Sequence, residues 1–158
     1  MRNAGTRLVD AQGNVVPSAP YAYGGAHSSG SQARLGAILE DPETFSDAEA
    51  RVIMWYLFRS PGHGEPVRMM VSDIADRLGM TRQGLTRIVK RLRERRILIE
   101  RDRVGRTPFY AISPYLGGHG PGLEQRSAIR ECNPPEIPAA DIKAAPITPV
   151  RSTTRRTA

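Results

Sequence analysis

Large hydrophobic residues are concentrated between positions 35 and 116, and their spacing predicts a series of helices and strands. Within 82–95 they recur at intervals of three and four residues, which places them on one buried face of a helix. That face consists of Leu85, Ile88, Val89 and Leu92. Residues 46–59 are apolar on almost every side, as expected of a helix in the middle of a core. The predicted order is helix, strand, helix, helix, strand, turn, strand.

Capping residues mark where these helices begin. Ser46 and Glu49 match a capping box, in which the serine accepts an unpaired backbone N–H and the glutamate reaches back to the serine. Ser31, Ser72 and Thr81 are the predicted N-caps of three further helices. The helix after Ser31 has one apolar face, formed by Leu35, Ile38 and Leu39.

Three short apolar segments are predicted to be strands, at 67–70, 97–101 and 109–113. The last two flank a turn-like, charge-rich linker at 104–107, so they predict an antiparallel hairpin. Because side chains alternate along a strand, only one of the two adjacent aromatic residues in the hairpin can face the core. We expect Tyr110 to be half-exposed. The side chains expected in the core are Ile97, Ile99, Phe109 and Ala111.

The two ends of the chain are poor in large apolar residues and rich in glycine, proline, alanine, serine and threonine. This composition is typical of weakly ordered segments, apart from a small hairpin at 8–16 and a short helix at 121–131. The expected fold class is α+β, mainly α, with flexible N- and C-terminal tails around one domain. The chain thus divides into a weakly ordered segment 1–30, a domain at 31–116, a segment with the short helix at 117–132, and a disordered tail at 133–158.

The net charge of +7 comes entirely from residues 82–106, which contain ten basic and three acidic residues. The rest of the chain is balanced, with thirteen of each. A positive field confined to one segment requires a polyanionic partner, and nucleic acid is the polyanion that fits it best.

Two adjacent helices follow a spacing that resembles the helix-turn-helix pattern of bacterial DNA-binding proteins. Ala75 allows the helices to cross closely, Gly79 ends the first in a left-handed conformation, and Leu85 and Ile88 turn back onto it. With the hairpin added, residues 44–114 resemble a winged helix-turn-helix domain. The second helix is then the recognition helix, which such proteins place in the major groove of double-stranded DNA.

The flank of helix 82–95 opposite its apolar face carries polar and basic side chains. The resemblance implies that its N-terminal part meets base edges, where arginine pairs with guanine and glutamine with adenine. Lys90 and Arg91, further along, suit phosphate groups. Three arginines of the wing, 101–107, suit the DNA backbone or the narrow minor groove. The candidate DNA-binding residues are Thr81, Arg82, Gln83, Thr86, Arg87, Lys90, Arg91, Arg101, Arg103 and Arg106.

Other classes of function find no support in the sequence. The acidic residues of 40–49 are interpreted as a solvated approach to a helix N-terminus, whose partial positive charge favours carboxylates. The three histidines are expected in surface loops, Trp55 in the core, and Cys132 has no cysteine partner for an internal disulfide. We therefore expect no enzyme, metal or cofactor, no membrane span, and a cytoplasmic protein associated with the nucleoid.

Three stretches resemble the MarR group of transcriptional regulators: 71–79 (VSDIADRLG), 89–92 (VKRL) and 97–102 (ILIERD). The resemblance implies a dimer whose outer helices pair and whose wings straddle palindromic DNA. Arg96 departs from the pattern, because such sequences usually have a glycine after the recognition helix. The outer helices predicted here are brief, so homodimerisation is left open.

A second resemblance is to plasmid replication initiators of the RepL type. It depends on 9–16 (VDAQGNVV) and on 110–114 (YAISP) after the wing, and it covers about 8–120. Both families place a winged helix on duplex DNA and differ in what binding achieves. The leading hypothesis is a sequence-specific regulator of transcription. The alternatives are an initiator at a replication origin and a winged helix that binds another protein.

Overall fold

The computed structural model describes residues 11–14 and 26–138, where the chain forms five helices and two small antiparallel sheets. In chain order the elements are β1 (Ser29–Gly30), α1 (Gln32–Leu39), α2 (Asp47–Arg59), α3 (Val71–Leu78), α4 (Arg82–Glu94), β2 (Leu98–Val104), β3 (Thr107–Ile112), β4 (Gly117–Gly118) and α5 (Gly122–Arg130). β2 pairs with β3, and β1 pairs with β4. This is the α+β, mainly helical winged helix-turn-helix fold that the sequence predicts.

The core is built around α2, which packs against α4, β3 and β4. Its start is the predicted capping box, in which Ser46 accepts the backbone N–H of Glu49 and Glu49 accepts that of Ser46. Tyr56 is buried, and Trp55 lies partly buried against the core with its ring edge-on to Tyr56. Phe58, however, is 63% exposed, so the prediction of a helix covered on every side is wrong at its last turn.

The helix-turn-helix consists of α3 and α4 and follows the predicted spacing. Gly79 has φ +66° and ends α3 in the left-handed conformation, while the next N–H bonds back to the carbonyl of Ala75. Leu85 and Ile88 are buried on the inner face of α4. The predicted cap of α3 is wrong: the helix begins at Val71, one residue before Ser72, and no side chain caps it.

The segment at 67–70 is not a strand. Val67 alone forms a bridge there, with its N–H donating to the carbonyl of Tyr110 at 2.9 Å. The hairpin is longer than predicted, because its strands continue almost to the tip and only 105–106 remain as the turn. Gly105, with φ +60°, supplies the left-handed residue at that turn.

The expected alternation of buried and exposed residues fails along β3. Tyr110 is 6% exposed and Phe109 is only half-buried, the reverse of the prediction. Tyr110, Ala111 and Ile112 are buried in succession, so both faces of the strand end are covered. On β2, Leu98 is buried in the core, whereas the predicted core residue Ile99 is only half-buried. A strand covered on both faces carries no period-two signal.

The elements before α2 and after β3 pack against the helix-turn-helix and hairpin part of the domain. Ser31 caps α1 as predicted and Ile38 is buried, but Leu39 is 60% exposed and does not share the buried face. The predicted short helix is present as α5. Ser29 and Gly30, assigned to the weakly ordered segment, form β1. The predicted hairpin at 8–16 lies outside the described residues except for 11–14, as does the tail beyond 138.

The first residues of the predicted tail contact the C-terminal end of α4. The N–H of Glu136 donates to the carbonyl of Arg95 at 2.9 Å, and Ile137 is buried against the core. Arg96 completes this contact, because its guanidinium donates to the carbonyl of Pro134 at 2.8 Å and pairs with Glu136 at 2.9 Å. The segment 133–138 therefore covers the C-terminal end of α4.

Arg96 has φ +56° and is the one non-glycine residue with positive φ in the described part of the chain. This is the position at which the resemblance described above leads one to expect glycine, and the left-handed conformation strains any residue with a Cβ. We expect Arg96→Gly to be more stable than Arg96→Ala by about 1 kcal/mol in urea unfolding, since both variants lose the side-chain contacts but only alanine is strained.

The same pair of substitutions at Arg87, which is exposed in the middle of α4, is the matched control. There the order should reverse, because glycine in a helix interior costs about 1 kcal/mol relative to alanine. Equal stability of the two Arg96 variants would contradict a strained backbone at this position.

Candidate nucleic-acid interface

The exposed flank of α4 carries the candidate base-reading residues. Arg82, Gln83, Thr86 and Arg87 are exposed and line one shallow groove. Lys90, also exposed, follows Thr86 by four residues and so lies one turn further along the same flank. The buried stripe of Leu85, Ile88, Val89 and Leu92 fixes this orientation, since it attaches the opposite side of the helix to the core.

Two threonines are engaged by the backbone of the helix. Thr81 is its N-cap, and its hydroxyl accepts the N–H of Gly84 at 3.0 Å. The hydroxyl of Thr86 donates to the carbonyl of Arg82 at 2.8 Å. Their side chains are therefore held in fixed positions on the exposed side of the helix, with their methyl groups and remaining acceptor sites available.

The ten basic residues of 82–106 fall into two groups. Six contact other groups of the protein: Arg91 pairs with Glu49, Arg93 with Glu100, Arg96 with Glu136, Arg101 with Glu131 and Arg103 with Glu100, while Arg95 lies 5.2 Å from the ring centre of Phe45. The other four have no such partner among the residues described: Arg82, Arg87, Lys90 and Arg106. These four are the unpartnered cations. Three are on α4 and the fourth is at the turn of the wing.

Glu49 connects α4 to α2. One carboxylate oxygen completes the capping box, and the other accepts from Arg91 Nε at 2.9 Å. The side chain is buried, so its interpretation as part of a solvated acidic approach is wrong. Since Arg91 is over half exposed, its guanidinium anchors α4 at one edge and still reaches solvent at the other.

The three wing arginines occupy different environments. Arg101 is the extra residue at a bulge of β2, since Glu100 pairs with Tyr110 and Asp102 pairs with Phe109. Its guanidinium donates to the carbonyl of Gly64 at 3.0 Å and to Glu131 at 2.8 Å, so it is directed at the loop between α2 and α3 and at the end of α5. Arg103 pairs with Glu100. Arg106, exposed at the turn, is the wing arginine without a partner in the described chain.

Arg68 holds the other side of the wing and was not predicted from the sequence. Its guanidinium donates to the carboxylate of Asp102, which also accepts the N–H of Arg103 at 2.8 Å. The hydrogen bond from Arg68, and after it the one from the Arg103 N–H, lower the pKa of Asp102. A carboxylate that stays ionised keeps the hairpin attached to the segment that precedes α3.

The histidines and the cysteine lie outside this surface. His63 is buried, contrary to the expectation of a surface loop, and its Nε2 lies 2.9 Å from the carbonyl of Gly120. Burial raises the pKa of Cys132.

The part of the chain that the structure describes has no group of three acidic, histidine or cysteine side chains that could hold a metal ion. Within it, each helix is too short or too polar to cross a bilayer.

Comparison with protein families supports the resemblance to the MarR group. A model of the MarR family matches residues 46–106, which run from the N-cap of α2 through the helix-turn-helix to the turn of the wing. No curated protein and no solved structure matches the chain. The matched segment contains α4 and all four unpartnered cations. Over residues 46–106 the chain is thus similar to the MarR family, whose members are DNA-binding regulators of transcription.

Proposed function

We propose that this protein is a sequence-specific regulator of transcription that binds double-stranded DNA. α4 reads the major groove, and the wing at 101–107 contacts the backbone or the minor groove. The observation that carries the proposal is the arrangement of the unpartnered cations. They project from a helix whose opposite face is buried and from the tip of the adjoining hairpin, while the other basic residues of the segment are engaged within the protein.

Position along the helix assigns the individual roles. Arg82, Gln83 and Arg87 stand in its first two turns and suit base edges, the arginines on guanine and the glutamine on adenine. Thr86 offers its methyl group to the same groove, and Thr81 lies at the helix N-terminus, where backbone amides and a hydroxyl suit a phosphate.

The remaining candidates suit phosphate groups. Lys90 lies one turn beyond the base-reading residues. Arg106 lies at the tip of the wing and suits either a phosphate or a narrow minor groove, since such a groove attracts arginine. Arg91 and Arg103 are both more than half exposed in spite of their ion pairs, so each can add a backbone contact. Arg101 is the weakest candidate, because its side chain is 28% exposed and is directed at Gly64 and Glu131.

The similarity to the MarR family favours control of transcription over the two alternatives. In that family two copies pair through outer helices, and here α1 and α5 carry Leu39 and Leu123, which are 60% and 71% exposed. These leucines are apolar groups available for a homodimer. An initiator of plasmid replication would use the same DNA contacts, and a protein-binding winged helix would need no unpartnered cations on α4.

Selection of bound fragments from genomic DNA tests the proposal. Sites upstream of genes are expected, whereas clustered repeats at a replication origin would instead support the initiator, and absence of any enriched fragment would contradict DNA recognition. With about five phosphate contacts, the logarithm of the affinity should fall with the logarithm of salt concentration at a slope of about −4 to −5. An affinity that hardly changes with salt would also contradict the proposal.

A further inference from the structure

Glu100 is the one carboxylate of the described chain that contacts both the recognition helix and the wing. Its Oε2 accepts from Arg93 Nη2 of α4 at 3.1 Å. Its Oε1 accepts from Arg103 of β2, at 2.7 Å from Nε and 2.6 Å from Nη2. A single side chain thus ties together the two elements that the proposed function places on different parts of the DNA.

The contact is built on a rigid base. Glu100 lies opposite Tyr110 in the register of the hairpin, and Tyr110 is buried. The guanidinium of Arg93 lies 5.4 Å from the ring centre of Tyr110. The Glu100–Tyr110 pair therefore holds this arginine both through the aromatic ring of Tyr110 and through the carboxylate of Glu100. Glu100 itself is only 22% exposed, and the register of the hairpin shifts directly after this residue.

Two consequences follow for the binding of DNA. First, an arginine engaged by a carboxylate attracts phosphate less, so Glu100 lowers the sequence-independent part of the affinity. Second, base contacts made by α4 and backbone contacts made by the wing reinforce each other only when both elements are held in one register. We propose that Glu100 is a positioning residue that sets the sequence specificity of the protein; this inference rests on the proposed function.

The test compares Glu100→Gln with Glu40→Gln, which makes the same change of charge at the exposed end of α1. The probes are a duplex that the wild-type protein enriches from a randomised pool and a duplex of scrambled sequence. Glu100→Gln is expected to bind the scrambled duplex more tightly, with a salt slope steeper by about 1 to 2, because Arg93 and Arg103 lose the carboxylate that offsets their charge. Its ratio of specific to non-specific affinity should fall by about five- to tenfold, within the range for residues that share an ion-pair network.

A double substitution identifies the path of the effect. If Glu100 acts by joining α4 to the wing, Arg93→Ala should also lower the specificity ratio, and Glu100→Gln should lower it little further in that background. Additive losses would contradict the bridging role. General damage to the fold cannot imitate the expected result, because it would weaken binding to the scrambled duplex instead of strengthening it.

The outcomes separate the two levels of inference. A wild-type protein that enriches no sequence from the pool overturns the proposed function and, with it, the role of Glu100. A wild-type protein that does enrich a sequence, while Glu100→Gln matches Glu40→Gln in salt slope and specificity ratio, overturns the role of Glu100 alone.

Discussion

A variant in which Arg82, Arg87 and Lys90 are all alanine is expected to bind its selected DNA site at least about 100-fold more weakly than the wild-type protein. Each base-contacting arginine contributes about 1–3 kcal/mol, and each 1.4 kcal/mol corresponds to about a tenfold change in affinity. The three side chains are exposed and have no partner in the described chain, so their removal should leave the fold intact. Titration of labelled duplex at fixed salt measures the loss.

The matched control removes the same charge from other exposed helix positions: Arg51→Ala, Arg59→Ala and Arg126→Ala together. This variant should lose far less affinity, because these positions lie on α2 and α5, outside α4 and the wing. Equal losses in both variants would show that overall charge, and not a defined surface, attracts the DNA. The positions on α4 could then no longer be regarded as the interface.

Leu85→Ala is expected to lower the free energy of unfolding by about 2–5 kcal/mol, because it leaves a cavity where α4 meets the core. Leu85 is fully buried, and a small domain has a total stability of about 5–15 kcal/mol. The change therefore removes a large part of the stability although it alters no charge and no exposed atom of α4. Urea unfolding followed by circular dichroism gives the value.

Leu123→Ala provides the comparison, since this leucine on α5 is 71% exposed. Its substitution should change the free energy of unfolding by no more than about 0.5 kcal/mol. If Leu85→Ala were equally harmless, the inner face of α4 would not be attached to the core as described. The orientation of the basic flank would then be wrong.

The parts of the fold that could be predicted are those set by near neighbours in the sequence. The capping box of Ser46 and Glu49, the left-handed Gly79 and the apolar stripe of α4 each depend on residues three or four positions apart. They were confirmed. The N-cap of α3 was misplaced by two residues, because the helix starts from Met70, which makes no side-chain capping hydrogen bond, and not from Ser72.

Features that depend on distant parts of the chain could not be predicted. Tyr110 is buried in the same core cluster as Tyr56 and Val67, both of which are far away in the sequence. The sequence does not show which basic residues of 82–106 pair within the protein, yet Arg91 and Arg101 are committed to carboxylates on α2 and after α5. Charge along the sequence located the candidate surface. The distinction between partnered and unpartnered cations required tertiary contacts.

The docking of residues 133–138 against α4 affects how a minimal fragment should be chosen. The family match ends at residue 106, but the hydrophobic interior is completed by later side chains, among them Ile112, Leu116 and Ile137. A polypeptide cut to 46–106 would expose the apolar surfaces that these side chains cover and would leave the carbonyl of Arg95 without its donor. Expression of 26–138 keeps the interior whole, so this longer piece is the one to crystallise or label for spectroscopy.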